Sequence, residues 1–179
     1  MVHSIAIQPF NDVDSLLVRK ISTGIEKQLN VTVNPFPPKG IPYFAYYPAR
    51  QRYIADSLLI YLRFVNRNKN EKIIGITSKD ISTQKLPYDN WGVLGLGSCP
   101  GEACLISSYR AGKNKVKAIV FEKRMISLAL HELGHTYGLE HCPVFHCVMK
   151  DAKGKMALDD GDSYCEKCKN YLRAKNILR

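Results

Sequence analysis

The chain has 179 residues, enough for one domain but short for two. Its formal charge is +10, and the basic residues are interleaved with other residue types along the chain. This pattern indicates a solvated surface with only weak, non-specific affinity for nucleic acid. No apolar stretch approaches the roughly 20 residues that cross a bilayer. The first residues lack the basic start, the long apolar stretch and the cleavage site of a secretory signal. We therefore expect a globular cytoplasmic protein without membrane contact, and a monomer by default.

The N-terminal third predicts strands that alternate with helices. Ser4–Ile7 is prone to form a strand, and so is Val31–Val33. Between them, apolar residues recur at helical spacing: Leu16, Leu17, Ile21, Ile25 and Leu29. A strand–helix–strand start predicts a largely parallel sheet, because such a crossover returns the chain in the same direction.

The segment from Pro35 to Pro48 carries five prolines, which exclude a regular element there. Its aromatic side chains, including Tyr43 and Phe44, are expected to cover the core. After it, the pattern predicts a second helix over Tyr53–Phe64 and a third strand over Lys72–Thr77.

The second half begins with Leu86–Gly101, whose glycines predict an irregular strand and loop. Val116–Phe121 fits either a strand or the start of a helix, and we extend the helix back to about Ala118 and end it near Tyr137. The chain after it should be mostly loop up to Ser163. A final helix is predicted within Tyr164–Ile177, docked through Tyr171 and Leu172.

The helix predicted to end near Tyr137 carries the pattern H-E-x-x-H-x-x-G-x-x-H. His131 and His135 are four residues apart, so on a helix they share one face, at the separation that two zinc-binding imidazoles need. Glu132 lies beside them and is placed to act on a metal-bound water. His141 would be roughly 15 Å away on a straight helix, so the chain must turn back, and Gly138 permits the turn. Three nitrogens and one open position describe a catalytic zinc site.

Six cysteines are present, and most of them follow this motif closely. In a chain without a secretory signal, metal ligation explains that clustering better than three disulfides do. Cys165 and Cys168 have the C-x-x-C spacing of zinc sites. Buried free thiols or two disulfides remain as alternatives, and His146 is an alternative ligand to Cys147.

The extended histidine motif is the metzincin signature. The residues after it, Cys142, Cys147, Met149 and Cys165-x-x-Cys168, resemble the archaemetzincins, a metzincin family of zinc peptidases. The likeness is close over Met125–Lys169, although the spacer Lys150–Tyr164 is shorter than in the family pattern. The resemblance implies a structural zinc held by four cysteines: Cys142, Cys147, Cys165 and Cys168. It also implies that Met149 forms a hydrophobic floor beneath the three histidines and is not a ligand.

The same resemblance implies that one strand above the cleft runs antiparallel to the others and pairs with bound peptide. That strand should lie within Trp91–Leu96 or Cys104–Ser107. Cys99 and Cys104 are expected to be ordinary thiols, and His3 a surface or core histidine. No pocket residue that selects substrate can be named from the sequence.

Together these features predict one α/β (α+β) domain over residues 1–179, with a mixed sheet packed against helices. Residues 1–137 should form the sheet and active-site helix, and residues 138–179 should carry His141, Met149 and the cysteine site. The predicted function is zinc-dependent peptide hydrolysis, with one catalytic and one structural zinc per chain and with Glu132 as general base towards a water on the catalytic zinc. The alternative is a catalytically silent two-zinc domain that recruits a protein or a polyanion through its basic surface.

Overall fold

The computed structural model describes residues 3–67, 69–112, 116–151, 159 and 161–178. Within them the strands are β1 (His3–Pro9), β2 (Val31–Pro35), β3 (Tyr46–Tyr47), β4 (Arg52–Ile54), β5 (Lys72–Thr77), β6 (Ile81–Lys85), β7 (Tyr88–Val93), β8 (Gly95–Gly97) and β9 (Ala103–Ser107). The α-helices are α1 (Ser15–Gln28), α2 (Ala55–Asn66), α3 (Ser108–Ala111), α4 (Ala118–Thr136) and α5 (Glu166–Ala174). Two 3₁₀ turns span Tyr43–Ala45 and Pro48–Arg50.

The main sheet has the strand order β2-β1-β5-β9-β8. Its first four strands are parallel, and β8 pairs with β9 in the antiparallel sense, with Leu96 opposite Leu105. A smaller sheet has the order β3-β4-β6-β7. The expectation of a mixed sheet packed with helices is confirmed. The antiparallel strand forms at Gly95–Gly97, which overlaps the end of the predicted stretch Trp91–Leu96.

Helices cover both faces of the main sheet because successive strand residues point to opposite sides. Ile5, Ile74 and Ile106 join the core beneath α1 and α4. Ala6, Ile73 and Leu105, each one residue away from these, join the core beneath α2. The fold is therefore a single compact domain of three layers.

The strand–helix–strand start and the third strand appear where they were predicted. Helix α4 begins at Ala118 and its C-cap is Tyr137, so the helical interpretation of Val116–Phe121 is correct from Ala118 onward. The final helix also forms, and Leu172 is fully buried in the core. No helix in the described ranges has the length and apolar character needed to cross a membrane.

Two local predictions were wrong. Helix α2 begins at Ala55 rather than Tyr53, because Tyr53 pairs with Ile81 as part of β4. Tyr43 and Phe44 do not cover the core: they are 79% and 68% exposed, and it is Ala45 that points inward from their 3₁₀ turn.

The C-terminal part packs onto α4 instead of forming a core of its own. Tyr164, Leu172 and Ile177 belong to the same buried cluster as Ile5 and Leu133. Arg124 of α4 forms a bidentate pair with Asp159. The predicted loop from Cys142 to Ser163 lacks regular elements where it is described, while residues 152–158 and 160 of the spacer lie outside the described residues.

Candidate active site and metal centres

Helix α4 and the turn after it bring the three predicted histidines together. His131 and His135 lie one turn apart on α4. The chain leaves the helix through Gly138, whose φ of +96° favours glycine. The Leu139 N–H donates to the Gly134 carbonyl at 2.9 Å, which closes the turn. The returning chain places His141 so that one ring nitrogen from each histidine lies within 4.8 Å of the others.

In His131 and His135, Nδ1 forms a hydrogen bond to a backbone carbonyl, and Nε2 remains available as a metal ligand. His131 Nδ1 donates to the Val148 carbonyl and His135 Nδ1 donates to the Leu139 carbonyl, both at 2.7 Å. Each Nε2 is then an acceptor only, and the two Nε2 atoms face each other at 3.1 Å. Two lone pairs at that distance repel unless a cation lies between them. The set therefore fits a divalent metal with imidazole ligands.

The electrostatics of the rings favour the neutral form that binds metal. Burial, together with the neighbouring His135, lowers the pKa of His131 to about 4. Burial also lowers the pKa of His135. Neither ring holds a proton that a metal would have to displace near pH 7.

Glu132 lies on the wall between α4 and β8. Burial raises the pKa of its carboxyl to about 8. A Cβ atom at Gly95 would lie 2.5 Å from Glu132 Oε1, and one at Gly97 would lie 2.7 Å from the Glu132 carbonyl oxygen. Only glycine lets β8 come this close, so these two positions set the space around the carboxyl.

Met149 lies under the turn of α4 that carries His131 and His135. It is fully buried, and a Cβ atom at Gly134 would lie 2.4 Å from its sulfur. The Met149 carbonyl accepts a hydrogen bond from the Cys142 N–H at 2.8 Å. Met149 therefore packs against the helix that carries His131 and His135.

The four predicted cysteines form a second cluster beside the histidines. Their Sγ atoms lie within 4.8 Å of one another. The Cys142–Cys165 and Cys147–Cys168 pairs are each 3.7 Å apart, far beyond the roughly 2.05 Å of a disulfide, and the thiols are free. Four converging sulfurs with no open position match the donor set of a structural zinc site.

Burial and hydrogen bonds shift the pKa values of three of these thiols in different directions. Burial raises the pKa of Cys165, but hydrogen bonds from Cys168 and the other thiols outweigh it and bring the pKa down to about 7. Burial raises the pKa of Cys147 and of Cys168. Buried thiols with raised pKa values become thiolates only when a bound cation compensates them.

The cysteine cluster is linked to the histidine cluster through the chain. Cys142 follows His141 directly, and Cys147 precedes Val148, whose carbonyl orients His131. Tyr164 precedes Cys165 and its buried hydroxyl donates to the Leu130 carbonyl of α4 at 2.7 Å. The carbonyl that binds the His131 ring therefore lies one residue away from a member of the cysteine cluster.

The histidines and Glu132 line a cleft of about 510 Å³. Its lining includes β7 and β8 on one side and α4 with the Val148–Asp151 segment on the other. β8 is the last strand of the main sheet, so its outer edge borders this cleft.

The remaining predicted residues fall outside both clusters. Cys99 is exposed at the cleft and its thiol donates to the Leu139 carbonyl at 3.5 Å, whereas Cys104 is fully buried in β9. His146 does not join the thiols among the described residues. His3 pairs with Glu71 at the surface.

Sequence reasoning missed a charged network beside the cleft. The Asp80 carboxylate accepts a bidentate pair from Arg110 at 2.7 and 3.0 Å and a further bond from Arg52 at 2.8 Å. Arg52 is in β4, Asp80 in the turn between β5 and β6, and Arg110 in α3, so their spacing in the chain gives no signal. The glycines at positions 92, 95 and 97 were the only sequence feature that indicated an unusual structure on this side of the cleft.

A mixed sheet, a cleft along its antiparallel edge strand, and a His-Glu-His helix define the class of zinc metallopeptidases. The family model of Peptidase family M54 matches residues 40–174. The chain therefore belongs to Peptidase family M54, the archaemetzincins.

Individual relatives agree with this assignment. The archaemetzincin of Methanopyrus kandleri is 31% identical over 140 residues, which cover 78% of this chain and 75% of the relative. That of Haloarcula marismortui is 30% identical over 174 residues, covering 93% of this chain and 97% of the relative.

Solved structures show the same fold. The crystal structure of the Methanopyrus kandleri archaemetzincin matches with a TM-score of 0.83 at 26% identity, covering 97% of this chain and 94% of that one. The Archaeoglobus fulgidus archaemetzincin, crystallised with malonate, matches with a TM-score of 0.80 at 25% identity, covering 94% of this chain and 99% of that one.

Proposed function

We propose that this zinc-dependent peptidase holds its catalytic zinc with His131, His135 and His141 and uses Glu132 as general base. The observation that carries the proposal is the pair of bare Nε2 atoms 3.1 Å apart, next to a buried carboxyl in the same cleft. His131, His135 and His141 would hold the zinc, which would supply Lewis-acid polarisation of a peptide carbonyl and would lower the pKa of water to about 7.

The carboxyl of Glu132 then has two successive tasks. It takes a proton from the attacking water and later passes it to the amine that leaves. Its place in the same cleft as the three histidines lets one carboxyl serve both transfers. The Val148 and Leu139 carbonyls keep His131 and His135 in the tautomer that presents Nε2 to the cleft.

We propose that the substrate peptide lies antiparallel to β8 along its outer edge. Pairing with a sheet edge gives affinity through main-chain hydrogen bonds and makes few demands on substrate sequence. Gly95 and Gly97 support this arrangement because side chains there would intrude on Glu132.

We further propose that Cys142, Cys147, Cys165 and Cys168 hold a second, structural zinc, so that the chain carries two ions. Residues 1–179 would act as one metallopeptidase domain, in which residues 138–179 complete the site built on residues 1–137. Free thiols at metal-binding distances suit a reducing compartment, which supports a cytoplasmic location. We keep a monomer, without membrane contact, as the default.

The rival function is a silent binding domain that recruits a protein or polyanion through its basic surface. It is not favoured, because such a domain has no use for a buried carboxyl beside an open histidine site.

Zinc content tests the ligand assignment. Metal analysis by mass spectrometry should find two zinc ions per chain in the purified wild type. It should find one zinc ion per chain in His135→Ala and one in Cys165→Ser. Peptide cleavage should vanish in the first variant. An unchanged zinc count in either variant would contradict the assignment of that site.

A further inference from the structure

The side of the cleft formed by β6, β7 and α3 carries mainly positive charge. The charged side chains that line the cleft, histidines apart, are Lys85, Arg110, Lys150, Glu132 and Asp151. Of the two acids, Glu132 belongs to the proposed mechanism and Asp151 lies opposite His141, with its Oδ2 4.0 Å from His141 Nδ1. Among the described residues, neither of these two acids forms an ion pair with Lys85 or Arg110.

Arg110 is held rigidly and is only partly neutralised. Its Nε and Nη2 bind Asp80, but the same carboxylate also binds Arg52, so two guanidinium groups share one negative charge. Within the described chain, Arg110 Nη1 has no hydrogen-bond partner, and the side chain is 24% exposed. A rigid guanidinium with a spare donor is suited to bind a carboxylate.

Gly92 gives this guanidinium access to the cleft. A Cβ atom at Gly92 would lie 2.0 Å from Arg110 Nη2, so any larger residue would displace the arginine. Gly95, three residues further on, contacts Glu132 in the same way. Three residues span at most about 11 Å, so Arg110 lies within reach of a side chain one or two residues from the bond that is cut.

Lys85 adds a second, more exposed positive charge. Its Nζ lies 5.5 Å from the centroid of the Trp91 ring, and both residues line the cleft. No carboxylate pairs with this ammonium among residues that the structure describes. It extends the positive potential of Arg110 towards the rim.

We propose that this cleft selects peptides with an acidic side chain, Asp or Glu, at the first or second position C-terminal to the cut bond. Arg110 is the residue that determines this specificity and Lys85 assists it. The side follows from the strand direction: a peptide antiparallel to β8 places its C-terminal half beside the N-terminal end of β8, where Gly92 and Arg110 lie. The inference rests on the proposed peptidase function and on the peptide orientation given there.

Cleavage of a mixed peptide library by the zinc-loaded protein tests the proposal directly. Mass spectrometry should show Asp and Glu enriched at one of those two positions. In matched peptides, kcat/KM should be at least about tenfold higher for Asp than for Asn, the size expected for a charge-assisted hydrogen bond. Arg110→Met should bring this ratio close to one, while Asp80 keeps its bond to Arg52. Arg110→Lys should retain part of it.

Lys85→Glu provides a second variant at an exposed position, and it should lower the ratio without affecting the fold. Lys27→Glu, at the end of α1, makes the same change in net charge away from the cleft and should leave the ratio unchanged. Equal cleavage of the Asp and Asn peptides by the wild type would overturn the proposal, as would ratios unchanged in both cleft variants.

Binding separates failure of this inference from failure of the peptidase function. Calorimetry with the Glu132→Gln protein should show tighter binding of the Asp peptide than of the Asn peptide, and Arg110→Met should remove the difference. A wild type that cuts no peptide but retains this preference would contradict the peptidase function alone. Equal binding of both peptides would contradict the acidic preference whether or not cleavage occurs.

Discussion

Gly95→Ala places one methyl group against the proposed general base and changes no ligand. The new Cβ atom would lie 2.5 Å from Glu132 Oε1, 2.7 Å from its Cγ and 2.8 Å from its Cδ. An ordinary contact between such atoms is about 3.5 Å, so the carboxyl must move by about 1 Å. A displacement of that size in a catalytic group costs roughly 10²-fold in rate.

The expected result is a fall in kcat of about 10²-fold with an unchanged zinc content. KM should change less, because the backbone edge of β8 that pairs with peptide is retained. Steady-state kinetics on a fluorogenic peptide, together with metal analysis, measures all three quantities.

Gly40→Ala is the matched control, since a Cβ atom there has nothing within 4 Å. It should retain wild-type kinetics. If Gly95→Ala kept kcat within about threefold of the wild type, contrary to the expected loss, the argument that β8 positions Glu132 would fail.

Three further predictions concern the support of the site. Met149→Leu should lower stability by less than about 1.5 kcal/mol and leave zinc content unchanged, because it keeps a hydrophobic side chain under α4. Loss of zinc would mean that Met149 is itself needed for metal binding. Removal of zinc with a chelator should abolish cleavage, and added zinc should restore it; cleavage that survived in metal-free protein would contradict the metal dependence. Asp159→Asn should cost less than about 1 kcal/mol near pH 7, because the pair with Arg124 is partly exposed. The Arg124 hydrogen bond lowers the pKa of Asp159, so its contribution to stability is present above the unfolded pKa of about 4 and is lost as the pH falls through the lower folded pKa. Urea unfolding from about pH 7 to about pH 3 should show the difference in the free energy of unfolding between wild type and variant becoming smaller. A difference that became larger would contradict this pH dependence.

The sequence predicted best what periodicity and short-range spacing control. Two histidines four residues apart must share a helix face, and the strand–helix–strand start leaves little choice of topology. The extent of α4 followed from apolar spacing and from the glycine after it. These features depend on neighbours in the chain, which the sequence displays.

What the sequence did not predict depends on contacts between distant segments. Tyr53 and Ile54 joined a strand because β6 was available as a partner, although their spacing also fits a helix. Tyr43 and Phe44 became exposed because their 3₁₀ turn points Ala45 inward. The pairing of Arg110 with Asp80, and its approach to Gly92, join residues that lie far apart in the chain.

Peptide cleavage by the zinc-loaded wild type, measured beside Glu132→Gln, tests the proposed role of Glu132. The substitution keeps the size of the side chain and the three histidines but removes the proton acceptor. We expect both proteins to carry the same zinc and the variant to cleave at least about 10²-fold more slowly. Equal cleavage by the two proteins at equal zinc content would remove Glu132 from the mechanism.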